Sequence, residues 1–544
     1  MNASSNPFCP TAALCEEPGA PVRLCGRGWM VVILLMALAL LLRLYRLDVS
    51  FTTDEVLTLR GAQLRIPEIL VHRFHPLYYL LAHFALLLGD SEGFLRLPSV
   101  LAGVLCVPAA YALARDAAGG SVGLLAAFLT ATSQYNIGQS QSARFYAVVM
   151  LGGLLLSWFV HRGVTRGGYL NWAGVVCTGW WLTITQLTAL PYYGAIFAGA
   201  GLWLLFTRNI PGAHAKARKL GLLMLCALLG LLTLAAIVAA RGRPTVLNVD
   251  PFPKSGSEVA TDSKGNTYDY QLYPGQYVQF LSVFLPQAGL LIQVLVVGAM
   301  CVGFAVLWRR LRCLATIVAA QFMLPPLPFL FLPSSHWYAA KYFCNVAPLF
   351  VILTSIGIWA VIESALTRIG GAERRVTSRA LVLAILMLAL TPGIVWQLSS
   401  YYERCSPVDW RGVGSYLGTR LAPGDVIAYT DLERMSSRLS PDAEPVFPRS
   451  SVAFDYYLVQ GAKSRRTDEA PIDFLKSIQK YEAGTAERIK RMRRRFASQR
   501  VWCIGVNEKD LEPSVQDALN ALPVAETVTF EGCTVRQVLY REKP

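Results

Sequence analysis

The 544-residue chain is short of charge. Only 16% of its residues are Asp, Glu, Lys or Arg, and 54% are hydrophobic, where an ordinary soluble domain carries about 25% charged residues. The shortage is local. Long uncharged stretches recur between residues 29 and 397, each near the roughly 20 residues that cross a bilayer. That patterning excludes a soluble globular enzyme. The twelve cysteines include no CxxC pair and no metal-ligand spacing. Cys106, Cys177, Cys226 and Cys301 fall inside apolar stretches, where cysteine behaves as a small hydrophobe. Cys503 and Cys533 are a candidate disulfide only if their domain lies outside the cytoplasm. There is no Walker-type phosphate loop, and GGAERR lacks the strand–loop–helix context of a nucleotide site, which argues against an ATP-driven pump. No repeat of 20–50 residues is present. A cleaved signal peptide is absent too. The first apolar run, WMVVILLMALALLLRLYRL, starts at residue 29 and is too long for one, so it reads as an anchor that stays.

What remains is a polytopic helical membrane protein. About eleven spans are expected, near residues 29–47, 94–114, 121–138, 143–160, 170–189, 192–207, 219–240, 286–307, 313–332, 343–363 and 379–397. With the N-terminal tail (1–28) in the cytoplasm, the short inner loops ARDAAGG, HRGVTRGG, TRNIPGAHAKARK, WRRLRC and LTRIGGAERRVTSR collect about fourteen Lys and Arg. The net charge of +15 is thereby a positive-inside pattern, not a groove for a polyanion, and nucleic acid is excluded as a partner. HPLYYLLAHFALLLG (75–89) is too short for a span and suits an interfacial helix in a long first outer loop, residues 48–93. After residue 398 the composition turns polar and turn-rich. Strand-like runs such as DVIAYT and VWCIGV alternate there with helical ones. Residues 399–544 therefore read as a small extracytoplasmic α/β domain behind the 29–398 membrane domain.

The polar residues at the outer ends of the spans converge on one face. They are Asp54, Glu55, Arg60, His72 and His75 in the first loop, and Arg96 at the start of the second span. Gln141, Arg144 and Tyr146 follow between the third and fourth spans, Gln186 after the fifth, and His336 and Lys341 before the tenth. Two adjacent carboxylates beside a lipid surface need a reason. Cations there can hold a lipid phosphate, since Arg presents a fork that fits its oxygens. A carboxylate opposite can take a proton from an attacking hydroxyl. Together they suit sugar transfer from a polyprenyl-phosphate carrier, with Asp54 as base beside Glu55 and with Arg96, Arg144 and Lys341 on the leaving phosphate. His75, Gln141, Tyr146, Gln186 and His336 are the expected substrate contacts. Bland readings stand beside these. Thr52 and Thr53 suit a helix cap with Asp54 and Glu55 in the first turn. Arg96 suits an interfacial snorkelling role. The histidines lack a second ligand at diagnostic spacing and suit surface or core positions, and KRMRRR (490–495) suits a solvated helix face.

FTTDEVLTLRGAQ, followed by the stretch from HPLYYLLAHFALLLG through FLRLPSVLAG to SQSARFYAVVM, resembles the family 39, protein mannosyltransferase-like membrane glycosyltransferases of GT-C fold. These are relatives of the protein O-mannosyltransferases and of the aminoarabinose and galacturonic acid transferases. The resemblance is dense over residues 28–160, thins to pattern level from 160 to 400, and in the tail is only typical of bacterial members. It implies an inverting, lipid-phosphate-sugar-dependent hexosyl or pentosyl transferase in the cell membrane. The acceptor is a glycan, lipid or protein. The catalytic base falls at Asp54, the HP pair at His75–Pro76, the arginine opening the second span at Arg96, and the basic–Tyr pair at Lys341–Tyr342. Two departures stand out. A common Q-E-A-R reads Gln141-Ser142-Ala143-Arg144, and a frequent Thr-His reads Thr185-Gln186. With those losses no metal ligands are assigned here, and a divalent ion, which sits near the site in the aminoarabinose transferase, stays as the one open cofactor. The competing readings are a secondary transporter or flippase of a glycan or lipid, and a non-catalytic scaffold. A transporter places its charges near the bilayer midplane on paired repeats, and neither feature is present.

Overall fold

The computed structural model describes residues 26–72, 76–186, 189–207, 214–222, 224, 260–261, 267–268, 290–325, 344–369, 375–404, 408–422, 424–429, 456–458, 479–482, 489–490, 492, 496, 499–506, 513–530 and 533–538. Most of this is helix. In chain order come α1 (Gly26–Leu44), α2 (Thr53–Ala62), α3 (Ile66–His72), α4 (Pro76–Leu86), α5 (Glu92–Ala118), α6 (Gly120–Thr132), α7 (Gln134–Ser140), α8 (Tyr146–Thr165), α9 (Tyr169–Thr185) and α10 (Leu190–Phe206). A two-residue hairpin, β1 (Ala260–Thr261) with β2 (Thr267–Tyr268), precedes α11 (Leu290–Arg310), α12 (Arg312–Met323), α13 (Ala347–Ile369) and α14 (Arg375–Arg404).

Among the described residues, α5, α8, α11, α13 and α14 are long and apolar enough to cross a membrane; α1, α4, α6, α10 and α12 are apolar but shorter. The chain is therefore membrane-embedded. The expected span 219–240 lies largely outside the described residues. The expected span 121–138 is two helices, α6 and α7, parted at Ser133, whose hydroxyl accepts from the Asn136 amide and caps the second. Residues 76–86 form the short helix that the apolar run suggested. It buries Tyr78, Ala82 and Ala85 and packs on α2 and α5. The bundle core is apolar on all sides around α8, whose residues from Tyr146 to Leu151 are all buried, as befits a central helix.

After α14 the chain forms α15 (Trp410–Arg420), α16 (Pro513–Asn520) and a five-stranded sheet of order β4-β3-β5-β7-β6, with β3 (Val426–Tyr429), β4 (Gln479–Glu482), β5 (Val501–Val506), β6 (Val524–Phe530) and β7 (Cys533–Val538). The first three strands of that order run parallel, and the last two pairings are antiparallel. β5 is buried along its whole length, so its uninterrupted apolar run VWCIGV follows from cover on both faces. Val501 and Cys503 face α16 (Val515, Ala518 and Leu519). Trp502, Ile504 and Val506 face the other way, into a core shared with Phe51, Val56 and Leu59. That alternation disposes of the candidate disulfide. Cys503 pairs with Arg536, and Cys533 with Val506. The two thiols sit on opposite faces of the sheet, and neither is part of a disulfide.

Candidate active site

Thr52 is the N-cap of α2, as the capping reading expected. Its amide donates to Glu55 Oε2 at 2.9 Å, the back-reaching acid of a capping box. That bond places Glu55 on the buried side of the helix beside Val56 and Leu59, and leaves Asp54, one position earlier, turned outward. The side chain of Glu55 is 2% exposed and that of Asp54 37%. Neighbouring carboxylates thus meet different environments because a helix rotates about 100° per residue.

Glu55 is fully engaged. Its Oε1 accepts from Arg96 Nε at 2.7 Å and from the Ala143 amide at 2.8 Å. Its Oε2 accepts from Arg96 Nη2 at 2.8 Å in addition to Thr52. Burial pushes the Glu55 carboxyl up, but the Arg96 guanidinium and the two amides outweigh it and hold the group below the usual carboxylate range. Arg96 is engaged to the same degree. Nη1 donates to the carbonyls of Leu47 (2.6 Å) and Val49 (2.8 Å), and Nη2 also reaches Ser50 O at 3.2 Å. With the two bonds to Glu55, each of its five N–H donors has an acceptor within the chain. The side chain expected to hold a phosphate instead ties α5 to the segment that enters α2.

Asp54 has a looser partner. Its Oδ2 lies 3.9 Å from Arg144 Nη2, and Arg144 Nη1 makes long contacts with Asp54 O (3.4 Å) and Thr58 Oγ1 (3.5 Å). Arg144 stacks over the Phe145 ring at 5.1 Å, with Tyr146 beside it. The turn that carries it is fixed through its backbone. Ala143 N is held by Glu55, and Arg144 O by the Ser99 hydroxyl at 2.8 Å. The structure therefore brings Asp54, Glu55, Arg96, Arg144 and Tyr146 together at one end of the bundle. Gln141 is close by but turned to another task. Its Nε2 donates to the carbonyls of Leu42, Arg43 and Tyr45, and its Oε1 accepts from Tyr401. It caps the open carbonyls at the end of α1, where Arg46 enters the left-handed region at φ 55°. Gln186 is the buried C-cap of α9. His75, His336 and Lys341 lie outside the described residues.

A cavity of about 250 Å³ opens beside this group, lined by Arg46, Thr52, Glu55, Arg96, Gln141 and Tyr402 among others. Among the described residues no three His, Cys, Asp or Glu side chains gather as a metal would need. Both Glu55 oxygens are taken, and among the described residues the side chain facing Asp54 is the Arg144 guanidinium, a setting that suits an anion better than a divalent ion. Sequence reasoning missed Arg411 and Tyr457, which meet the same loop from the C-terminal domain, and the role of Glu92, which opens α5 and accepts from both. It also missed Arg43, fully buried, with Nε on Ser140 and Nη1 on Ala39 O and Ala131 O. An arginine inside an apolar run was the available signal for the last.

The fold and site define a helical membrane protein with an acid-and-guanidinium group at one bundle end, covered by an α/β domain. Residues 75–238 match the family described as dolichyl-phosphate-mannose-protein mannosyltransferase, and the resemblance read from the sequence holds over that stretch. No curated protein matches the chain. Among solved structures, ArnT from Cupriavidus metallidurans in the apo state is 13% identical, with 95% of this chain and 98% of that one covered and a TM-score of 0.49. The same protein bound to undecaprenyl phosphate scores 0.48 at 13% identity, covering 94% and 98%. The oligosaccharyltransferase AglB from Archaeoglobus fulgidus, with an inhibitory peptide and a dolichol-phosphate, scores 0.45 at 12% identity, covering 95% and 75%. At these values the likenesses assign neither activity nor residue roles to this chain.

Proposed function

We propose that this chain is an integral membrane glycosyltransferase that moves a sugar from a polyprenyl-phosphate donor to an acceptor hydroxyl at the non-cytoplasmic face of the cell membrane. One observation carries the reading: of two adjacent acids, Glu55 is closed off by Arg96 while Asp54 faces outward beside Arg144. A carboxylate with both oxygens committed makes a poor base. One that is partly open and next to a cation can collect a proton and sit near a phosphate. The match of residues 75–238 to a lipid-phosphate-sugar family supports the donor class.

In this reading the acceptor oxygen attacks the anomeric carbon, and its proton passes to Asp54. The bond from that carbon to the phosphate oxygen breaks, and the pair of electrons leaves with the lipid phosphate. Attack opposite the leaving group inverts the anomeric centre. Arg144 and Lys341 hold the developing negative charge. Glu55 and Arg96 position the helix and loop, and Tyr146 supports Arg144. The N-terminal tail lies in the cytoplasm, residues 29–398 form the membrane domain, and residues 399–544 stand on the side of Asp54.

The test is transfer by the purified full-length protein in nanodiscs, given dolichyl- and undecaprenyl-phosphate-linked hexoses and a cell-envelope extract as acceptor, with release of the polyprenyl phosphate as readout. Asp54→Asn is expected to lower turnover by about 10²–10⁴-fold, the usual worth of general base catalysis, while lipid binding is kept. A variant that still turns over at the wild-type rate rejects Asp54 as the base.

A further inference from the structure

The segment that leads into α2 has no regular backbone pairing between Ser50 and Thr52. Its position is set by side chains, and they come from two sides. From the membrane domain, Arg96 holds the carbonyls of Leu47, Val49 and Ser50. From the C-terminal domain, the Tyr457 hydroxyl accepts from the Phe51 amide at 2.7 Å and donates to Glu92 Oε1 at 2.7 Å. Arg411 Nε donates to the same Glu92 oxygen at 3.1 Å, Arg411 Nη2 reaches Asp48 O at 3.0 Å, and the Arg411 amide donates to Ser50 Oγ at 3.1 Å. Ser50 Oγ in turn donates to Asp409 Oδ1 at 3.2 Å. Glu92 and Arg96 are four residues apart on α5, so they share one face of it. Phe51 itself packs between the Tyr456 and Tyr457 rings and the Arg96 guanidinium.

We propose that Tyr457 and Arg411 of the C-terminal domain are positioning residues for sugar transfer, which act through Glu92 and residues 48–51 to fix the start of α2 and so the place of Asp54. The inference rests on the reading of Asp54 as base. Phe51 is three residues before Asp54, and the Tyr457 bond falls on its backbone, so slack there moves the helix start as a unit. Displacement of a reacting group by about 1 Å costs roughly 10²-fold in rate. A domain that served only to recognise the acceptor would have no need of contacts to the backbone that enters α2.

Two measurements on the full-length protein decide it. Hydrogen exchange of the peptide spanning residues 48–56 reads the clamp directly, without turnover. Release of polyprenyl phosphate from the lipid-linked hexose panel gives kcat and donor KM. Tyr457→Phe removes the hydroxyl and keeps the ring, and Arg411→Gln changes a half-exposed side chain, so either serves if the other fails to fold. Each is expected to speed exchange at residues 48–56 and to lower kcat about tenfold with donor KM within about twofold, as for an interaction realised in the transition state. Lys490→Gln, at an exposed position of the same domain, should match wild type in both. Unchanged exchange in both variants overturns the proposal, as does faster exchange with unchanged kcat or a change confined to KM. Absence of turnover in the wild type itself would remove the base assignment, and the exchange arm would still decide whether the clamp exists.

Discussion

The Glu55–Arg96 and Asp54–Arg144 pairs start one residue apart in sequence and differ in nearly every physical respect. The first is dry, with contacts of 2.7 and 2.8 Å and every donor and acceptor matched. The second is partly wet, with its charges 3.9 Å apart. A closed pair of this sort holds a fold in place, and its removal leaves an uncompensated buried charge. A part-exposed pair contributes little to stability, and in the proposed reaction its carboxylate takes the proton while its guanidinium faces the phosphate. Helix rotation thus turns Glu55, at the third helical position, into the brace and Asp54, one position earlier, outward, where the proposed reaction needs its base.

The largest expected effect breaks the closed pair. Arg96→Ala leaves Glu55 buried without its partner and three loop carbonyls without a donor. It should cost about 3–5 kcal/mol, seen as a marked fall in the thermal midpoint in detergent or as loss of folded protein. A variant as stable as wild type would make the pair dispensable. On the open pair, Arg144→Lys keeps the charge and loses the planar fork, which is not a conservative change at a phosphate site. We expect the donor KM to rise about tenfold with the thermal midpoint unchanged, measured by product release across donor concentrations. Gln141→Ala tests a neighbour that the geometry gives to α1. The loss of its cap bonds should lower stability by about 1 kcal/mol with turnover per folded molecule kept; a selective loss of turnover would return Gln141 to the substrate.

The smallest effect sharpens the contrast through pH. The folded pKa of Glu55 is held below its ordinary value. Its contribution is therefore complete above the unfolded carboxyl pKa, about 4.3, and is lost as pH falls through the lower folded value. In thermal scans from neutral to acid, wild type should lose more of its midpoint in that window than Glu55→Gln does, since the amide cannot titrate. Parallel curves would mean that the carboxylate adds no such term.

Much of this arrangement was legible in the sequence, for identifiable reasons. The sparse charge and long apolar runs marked the membrane domain, because hydrocarbon accepts little else. The short run at 75–89 was separable from a span by its length and by the basic loops, which one more crossing would have turned outward. The convergence of Asp54, Glu55, Arg96 and Arg144 followed from where charged residues fell between the runs. Their division of roles was hidden. Whether Arg96 faces a phosphate or three carbonyls depends on how the 47–51 loop folds back, and no local pattern records that. Gln141 was equally opaque, since a helix end nearly 100 residues earlier uses its amide. Tyr457 and Arg411 were hidden for the same reason, being more than 300 positions from the loop they hold. The alternation within VWCIGV did carry the separation of Cys503 from strand neighbours on the other face. Only the pairing register supplied the position of Cys533.

Paired measurements on Asp54→Asn and Glu55→Gln separate the work of the two acids. The expected result is crossed: the first variant keeps the wild-type thermal midpoint and loses sugar transfer, and the second loses several degrees of midpoint by breaking the closed pair. If both substitutions shift stability and transfer to the same extent, or if Glu55→Gln keeps its stability and alone abolishes transfer, the assignment of base and brace is contradicted.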